Sequence, residues 1–242
     1  MPSFWRHVNT VIQKSELIIE VLDSRNVEDS RNLEIEAKVN NAGKKLLFVI
    51  NKCDLVNVTE LEKYKKKLNP IVFISSKDKL GTTILKKKIL EISRGKEIIV
   101  GVLGYPNVGK SSLINALSGR GAARTSSRSG YTRGLQKVKV DNKIMVLDTP
   151  GVLPYREKDE TKHAKMSAID YSQVKDPEYV ALNFIEENKD LVKNHYKLKK
   201  TENDELLEEL AFRLGRLVKG GKPDLESTSR ALLKDWQKGK IK

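Results

Sequence analysis

Gly104 and Gly109 are followed directly by Lys110 and Ser111, giving a G-x4-G-K-S spacing. An apolar run, 97–103, leads into the first glycine, and a stretch of helical character, 112–117, leaves the serine. Glycines let backbone N–H groups curl around phosphate oxygens, and a helix N-terminus adds its dipole to the same anion. Asn107, Val108 and Gly109 would form the cradle, and Ser112 would extend it into the helix. Lys110 would neutralise the β and γ phosphates and Ser111 would hold Mg²⁺. Asp148 ends another apolar run three residues before Gly151. There the carboxylate can reach Mg²⁺ through water, and the Gly151 N–H can meet the γ-phosphate.

Two further motifs select the base. In Asn51-Lys52-x-Asp54 a carboxylate accepts from N1–H and N2–H of guanine, a pattern adenine lacks. Ser75, Ser76 and Lys77 would add a backbone donor to guanine O6. Each short motif, met alone, is an ordinary turn; four of them follow strand-like runs here. Segment 120–139 carries six basic residues and no acid. Within it Thr132 is the candidate switch residue, its hydroxyl closing on Mg²⁺ and γ-phosphate. The candidate catalytic set is Lys110, Thr132, Gly151 and Asn107. Unusually, the base-reading motifs precede the phosphate loop.

These residues need a scaffold that aligns them. Runs 17–22, 45–50, 70–74 and 97–103 are nearly continuous in apolar residues, as strands buried on both faces are. Helix-period stretches 33–41, 59–68 and 82–92 lie between them. Alternating strands and helices imply an α/β fold with a mostly parallel sheet, whose ligands bind beyond the carboxyl ends of the strands. Runs 135–140 and 143–147 form a hairpin that puts one antiparallel strand into that sheet. Beyond about residue 155 strand-like runs stop, and 177–189, 204–217 and 224–237 have helical periodicity. We therefore expect two domains, 1–155 carrying the nucleotide site and 156–242 helical.

Lys and Arg total 46 against 32 Asp and Glu, a net charge of +14 that favours a polyanionic partner. No apolar run is long enough to span a bilayer, and the N-terminal residues lack the apolar core of a signal peptide. A single cysteine, Cys53, suits a reducing compartment. A cytoplasmic monomer, without membrane association, is expected.

With its motifs in this order, the chain resembles the circularly permuted GTPases of the YlqF/YawG group, which act in ribosome assembly. Residues 15–155 carry the likeness: Asp23-Ser24-Arg25 followed by Ser30-Arg31-Asn32, Pro106-Asn107-Val108 in the phosphate loop, and Gly130-x-Thr132-x-Gly134. Gly220-Gly221-Lys222-Pro223-Asp224 extends it toward the C-terminus. The resemblance implies a three-layer P-loop GTPase fold with a small C-terminal helical domain, GTP and GDP as ligands, Mg²⁺, and binding to ribosomal RNA of the large-subunit precursor. It also implies that Asn107 coordinates K⁺ beside the phosphates. Val152 stands where other GTPases carry a water-orienting glutamine, so intrinsic hydrolysis is expected to be slow and stimulated by K⁺ or a ribosomal partner. His7 does not align with the histidine that some members of the group carry, and is expected to be an ordinary packing or surface residue; His163 is given no larger part. The expected function is GTP hydrolysis driving a switch in large-subunit assembly, with γ-phosphate contact at Gly151 repositioning 156–242. The alternative is a GTP-loaded RNA- or protein-binding scaffold with negligible turnover.

Overall fold

A computed structural model describes residues 3–119, 136–149 and 169–241. The chain divides into two compact units, Met1–Lys158 and Asp159–Lys242. In the first, helix α1 (Ser3–Lys14) precedes strand β1 (Leu17–Asp23), helix α2 (Leu33–Asn41) and strand β2 (Lys45–Asn51). Short helices α3 (Val58–Leu61) and α4 (Tyr64–Lys67) lead to β3 (Ile71–Phe73), followed by α5 (Thr82–Ile92) and β4 (Ile98–Leu103). Helix α6 (Lys110–Ser118) and strands β5 (Gln136–Lys139) and β6 (Ile144–Asp148) complete its described part.

The sheet has six strands in the order β3-β2-β1-β4-β6-β5. Neighbours are parallel except β5, which runs antiparallel to β6. Every residue of β1 is buried, as a strand covered on both faces requires. The parallel register sets Asp23 beside Asn51 and Val102 beside Asp148, so these strand ends share one edge of the sheet. This is the α/β architecture and single antiparallel strand expected from the sequence.

Two features of this unit differ from expectation. Helix α1 has no counterpart in the sequence reading, although Trp5, Val8, Val11 and Ile12 recur at helical spacing. These side chains form one buried cluster with Ile18, Ile35, Val39, Leu103 and Leu147. The helix lies so close to β4 that a Cβ at Gly101 would collide with Val11 and come within 2.8 Å of Ile18 Cδ1 and Ser15 Oγ. Secondly, the helix expected over 59–68 is two short pieces. Glu62 and Lys63 keep helical dihedrals, but Glu62 N–H reaches Thr59 O and Lys65 N–H reaches Glu62 O, three-residue bonds that interrupt the α-helical ladder.

In the second unit, α7 (Pro177–Glu187), α8 (Lys189–Tyr196), α9 (Asn203–Arg213) and α10 (Leu225–Gln237) surround a core that includes Phe184, Val192, Leu206, Leu210, Leu232 and Trp236. The Phe184 and Trp236 ring centroids are 4.8 Å apart. Helix α9 stops at Arg213 rather than 217 because Gly215 takes φ +64 and Arg216 N–H closes on Ala211 O at 2.9 Å, a glycine-terminated C-cap. Helix α8 has no counterpart in the sequence reading. No described helix is long and apolar enough to cross a membrane.

One core residue is out of character. Glu20, in the middle of β1, is fully buried; its Oε1 accepts Asn32 N–H at 2.7 Å, while Oε2 has no partner. Burial pushes the carboxyl up from 4.5 to about 8, with Glu36 adding to the effect and the Asn32 N–H and Arg31 opposing it. The unfolded chain releases this proton near 4.5 and the folded chain only near 8, so folding stability declines as pH rises between those values, by up to about 1.4 kcal/mol per pH unit. Glu20→Gln cannot ionise. Its melting temperature relative to wild type is expected to rise steadily across that window and to level off above it, as followed by circular dichroism.

Candidate functional site

Asn51, the last residue of β2, is buried and its amide joins two loops. Nδ2 donates to Val108 O at 2.9 Å, while Oδ1 accepts from Ser76 N–H at 3.1 Å and Ser76 Oγ at 2.8 Å. The phosphate-loop candidate and the Ser75–Lys77 segment are therefore braced by one side chain. Gly109 makes room for it: a Cβ there would strike Asn51 Nδ2, and its φ of +96 favours glycine independently. At the loop entrance, a Cβ on Gly104 would come within 2.5 Å of Val21 O, so the loop lies directly against β1. Asn107 has φ +59, a left-handed conformation that asparagine tolerates better than most residues.

Asp54 is partly buried, in a 3₁₀ turn over Cys53–Leu55. The Ser75 hydroxyl lies 2.8 Å from Asp54 Oδ1 and 3.0 Å from Asp78 Oδ2, and accepts Asp78 N–H at 3.2 Å. This leaves Asp54 Oδ2 for the edge of a ligand. Lys77 is exposed at the rim, and the Lys52 ammonium reaches back to Asp23 Oδ2 at 2.8 Å.

At the other end of the site, Lys110 opens α6 and is almost fully buried. Its ammonium donates to Gly104 O at 3.0 Å and Tyr105 O at 2.7 Å. Burial pushes it down to about 8, with the nearby Asp148 pulling the other way. Ser111 Oγ donates to Asp148 Oδ2 at 3.1 Å. Burial raises the Asp148 carboxyl above its ordinary value against the opposing effects of Lys110, Ser111 and the Thr149 N–H. Asp148 Oδ1 is buried with no hydrogen-bond partner. Thr149 Oγ1 fastens the segment by donating to Val102 O at 2.8 Å. Ser112 is exposed in the first turn of α6.

An orphaned carboxylate oxygen beside a serine hydroxyl is a hard-oxygen pair that fits Mg²⁺. Among the described residues no cluster of three His, Cys, Asp or Glu gathers. Further ligands at Ser111 and Asp148 would therefore include phosphate or water oxygens, as is usual for Mg²⁺. Thr132, Gly151, Val152 and His163 lie outside the described residues. His7 lies on α1 and is partly buried.

The geometry unites the candidate phosphate cradle and the candidate base-edge carboxylate along one sheet edge, with the strand leading to Asn51 and Asp54 earlier in the chain than the strand leading to Gly104. Residues 99–212 match the family model described as 50S ribosome-binding GTPase. The fold resembles GNP-bound YlqF from T. maritima, with a TM-score of 0.67 at 22% identity over 98% of this chain and 94% of that one. The GDP-bound form gives a TM-score of 0.69 at 22% identity over 96% and 94%. The chain has the circularly permuted fold of YlqF. An uncharacterized GTP-binding protein of Methanocaldococcus jannaschii is 40% identical over 97% of this chain and 65% of its own length. The nuclear GTP-binding protein NUG1 of Saccharomyces cerevisiae is 32% identical over 96% of this chain and 54% of its own. A guanine nucleotide-binding protein-like 3 homolog of Caenorhabditis elegans is 31% identical, over 97% and 48%. The chain thus spans about half to two thirds of the length of these relatives.

Asn51, Ser75, Gly104 and Asp148 lie at or just beyond strand ends, as expected from the sequence, whereas the Asn51 brace, which joins residues far apart in the chain, was not expected. Its cost of disruption is measurable. Gly109→Ala should destabilise the domain by about 1–3 kcal/mol, combining backbone strain with displacement of Asn51. Urea unfolding followed by circular dichroism would measure this loss.

Proposed function

We propose that this chain binds GTP with Mg²⁺, hydrolyses it to GDP and phosphate, and acts as a switch in assembly of the large ribosomal subunit through contact with ribosomal RNA. The observation that carries the nucleotide reading is the Ser111–Asp148 pair, with Asp148 Oδ1 unpartnered, beside the buried Lys110 ammonium. Ser111 and Asp148 would hold Mg²⁺, which when bound neutralises charge on the β and γ phosphates. Lys110 exchanges its two loop carbonyls for phosphate oxygens, and backbone N–H groups of 107–112 complete the cradle. Asp54, steadied by Ser75, reads the guanine edge. Thr132 and Gly151 would close on the γ-phosphate, and Asn107 would hold K⁺ beside it. Phosphate release in KCl against NaCl, with and without ribosomal subunits, tests turnover. Stimulation by K⁺ or subunits is expected. Absence of turnover in every condition favours the GTP-loaded scaffold, which Val152 makes the second reading.

The Lys110 ammonium also predicts a pH dependence. Below its value of about 8 it is charged before and after nucleotide binds; above that, binding must take up a proton. GDP affinity is therefore expected to be flat below pH 8 and to weaken above it, by up to about tenfold per pH unit. Calorimetry in buffers of differing ionisation enthalpy would detect the proton uptake.

A route to RNA is offered by a β-turn finger in the second unit. After α9 the backbone doubles back through Asp224 N–H to Arg216 O and Val218 N–H to Lys222 O, each at 2.9 Å, over Gly220 and Gly221. Residues 212–222 are all exposed and include Arg213, Arg216, Lys219 and Lys222 with no acid. The family model's description and the net charge of +14 support ribosomal RNA as the polyanion. Affinity for ribosomal RNA should fall steeply with salt. Replacing Arg216, Lys219 and Lys222 with alanine should flatten the log–log slope by about 1 for each phosphate that is no longer neutralised.

A further inference from the structure

A second group of buried charges lies beside the base reader, and it contacts the lysine of that motif at both ends. Just beyond the paired strand ends Asp23 and Asn51, the chain turns through Ser24 and Arg25. Ser24 N–H donates to Asn51 O at 3.0 Å, and Ser24 Oγ donates to the Lys52 carbonyl at 2.7 Å. Asp23 Oδ2 accepts the Lys52 ammonium at 2.8 Å. The backbone end and the charged end of Lys52 are thus held by two consecutive residues of β1 and its turn. Lys52 itself has φ +64 and ψ +31, a left-handed conformation that lysine rarely adopts.

Asp23 is in turn rigidly held. Its side chain is 2% exposed, and it accepts from Arg25 Nε at 3.0 Å, from an Arg25 terminal nitrogen at 2.8 Å, and from Arg25 N–H at 3.1 Å. Its own N–H donates to Ser30 Oγ at 3.0 Å. Burial opposes its charge, but Lys52 and Arg25 outweigh burial and hold the carboxyl well below the usual range. The Lys52 side chain, by contrast, keeps 20% exposure. A flexible lysine stem would have to be ordered when a base lands on it, at the cost of its rotamer freedom. A stem already fixed at both ends avoids that cost.

We propose that Asp23 and Ser24 are positioning residues for the purine ring: they fix Lys52 so that its methylenes form a platform for the face of the base, beside the Asp54 carboxylate that reads its edge. The inference rests on the nucleotide reading above and extends it. Face and edge are set by separate supports, Asp23–Ser24 for Lys52 and Ser75 for Asp54. Loss of the first support should weaken guanosine and inosine diphosphates by a similar factor, because the edge contact with N2–H is untouched.

The test is a double-mutant cycle on the full chain, with GDP affinity measured by calorimetry and the ligand-free melting temperature recorded for each variant. Asp23→Asn should weaken GDP by about tenfold. In a Lys52→Met background the same substitution should cost less than about twofold, because Asp23 acts through the lysine. A general structural role would instead lower affinity by the same factor in both backgrounds, and that result overturns the proposal. So does an Asp23→Asn variant that binds GDP as wild type does, or one that loses GDP but not inosine diphosphate. Should Asp23→Asn not fold, Ser24→Ala in the wild-type background should weaken guanosine and inosine diphosphates alike, by about threefold, and wild-type affinity in that variant overturns the proposal. Wild-type protein that fails to bind GDP would remove the nucleotide reading itself, an outcome distinct from failure of the cycle.

Discussion

The Asn51 side chain is the joint on which the candidate site depends. β2 and β4, the strands that feed the proposed base-reading and phosphate-binding loops, are not neighbours; β1 lies between them. A single amide closes the gap by donating to Val108 O and accepting from the Ser76 N–H and hydroxyl. An amide suits this task because it carries donor and acceptor on one rigid plane, so a single side chain satisfies backbone groups of opposite polarity. The lack of a side chain at Gly109 is the other half of the joint, since a methyl group there would occupy the position of Asn51 Nδ2.

Around this joint the domain buries several ionisable groups, and it offsets the desolvation of each in a different way. Lys110 is held by two loop carbonyls and Asp23 by two cations, whereas Glu20 keeps a proton over most of the ordinary pH range. Asp148 is only half satisfied: one oxygen takes the Ser111 hydroxyl and the other is unpartnered. Complete pairing at Asp23 suits a supporting role, while the incomplete pairing at Asp148 suits a group that acquires a ligand.

The permuted chain order leaves this geometry unaffected for a topological reason. In a parallel sheet every strand presents its carboxyl end at the same edge, whichever strand the chain visits first. Asp23 and Asn51 meet through strand register, as do Val102 and Asp148. Placing β1 between β2 and β4 lets the Asp23–Arg25 turn touch the base reader while Val21 bears on the phosphate loop. Chain order therefore decides which segments adjoin in sequence, and sheet order decides which residues touch.

The amino-acid sequence by itself determined the strands, their handover to polar motif residues and the class of fold. Continuous apolar runs such as 17–22 and 97–103 can only be satisfied by burial on both faces, and glycine spacing is tied to backbone shape. It was less informative about helices whose identity depends on a partner. α1 is interleaved with polar residues and is recognised by its packing on Gly101, and the helix expected at 204–217 ends early because Gly215 caps it. Only the tertiary structure decided that Asn51 braces two loops, that Asp148 keeps an unpartnered oxygen and that Asp23 grips Lys52. Asp23 and Lys52 are 29 residues apart. Hydrogen bonding across such a separation depends on strand register and loop closure, which residue types and local spacing do not encode.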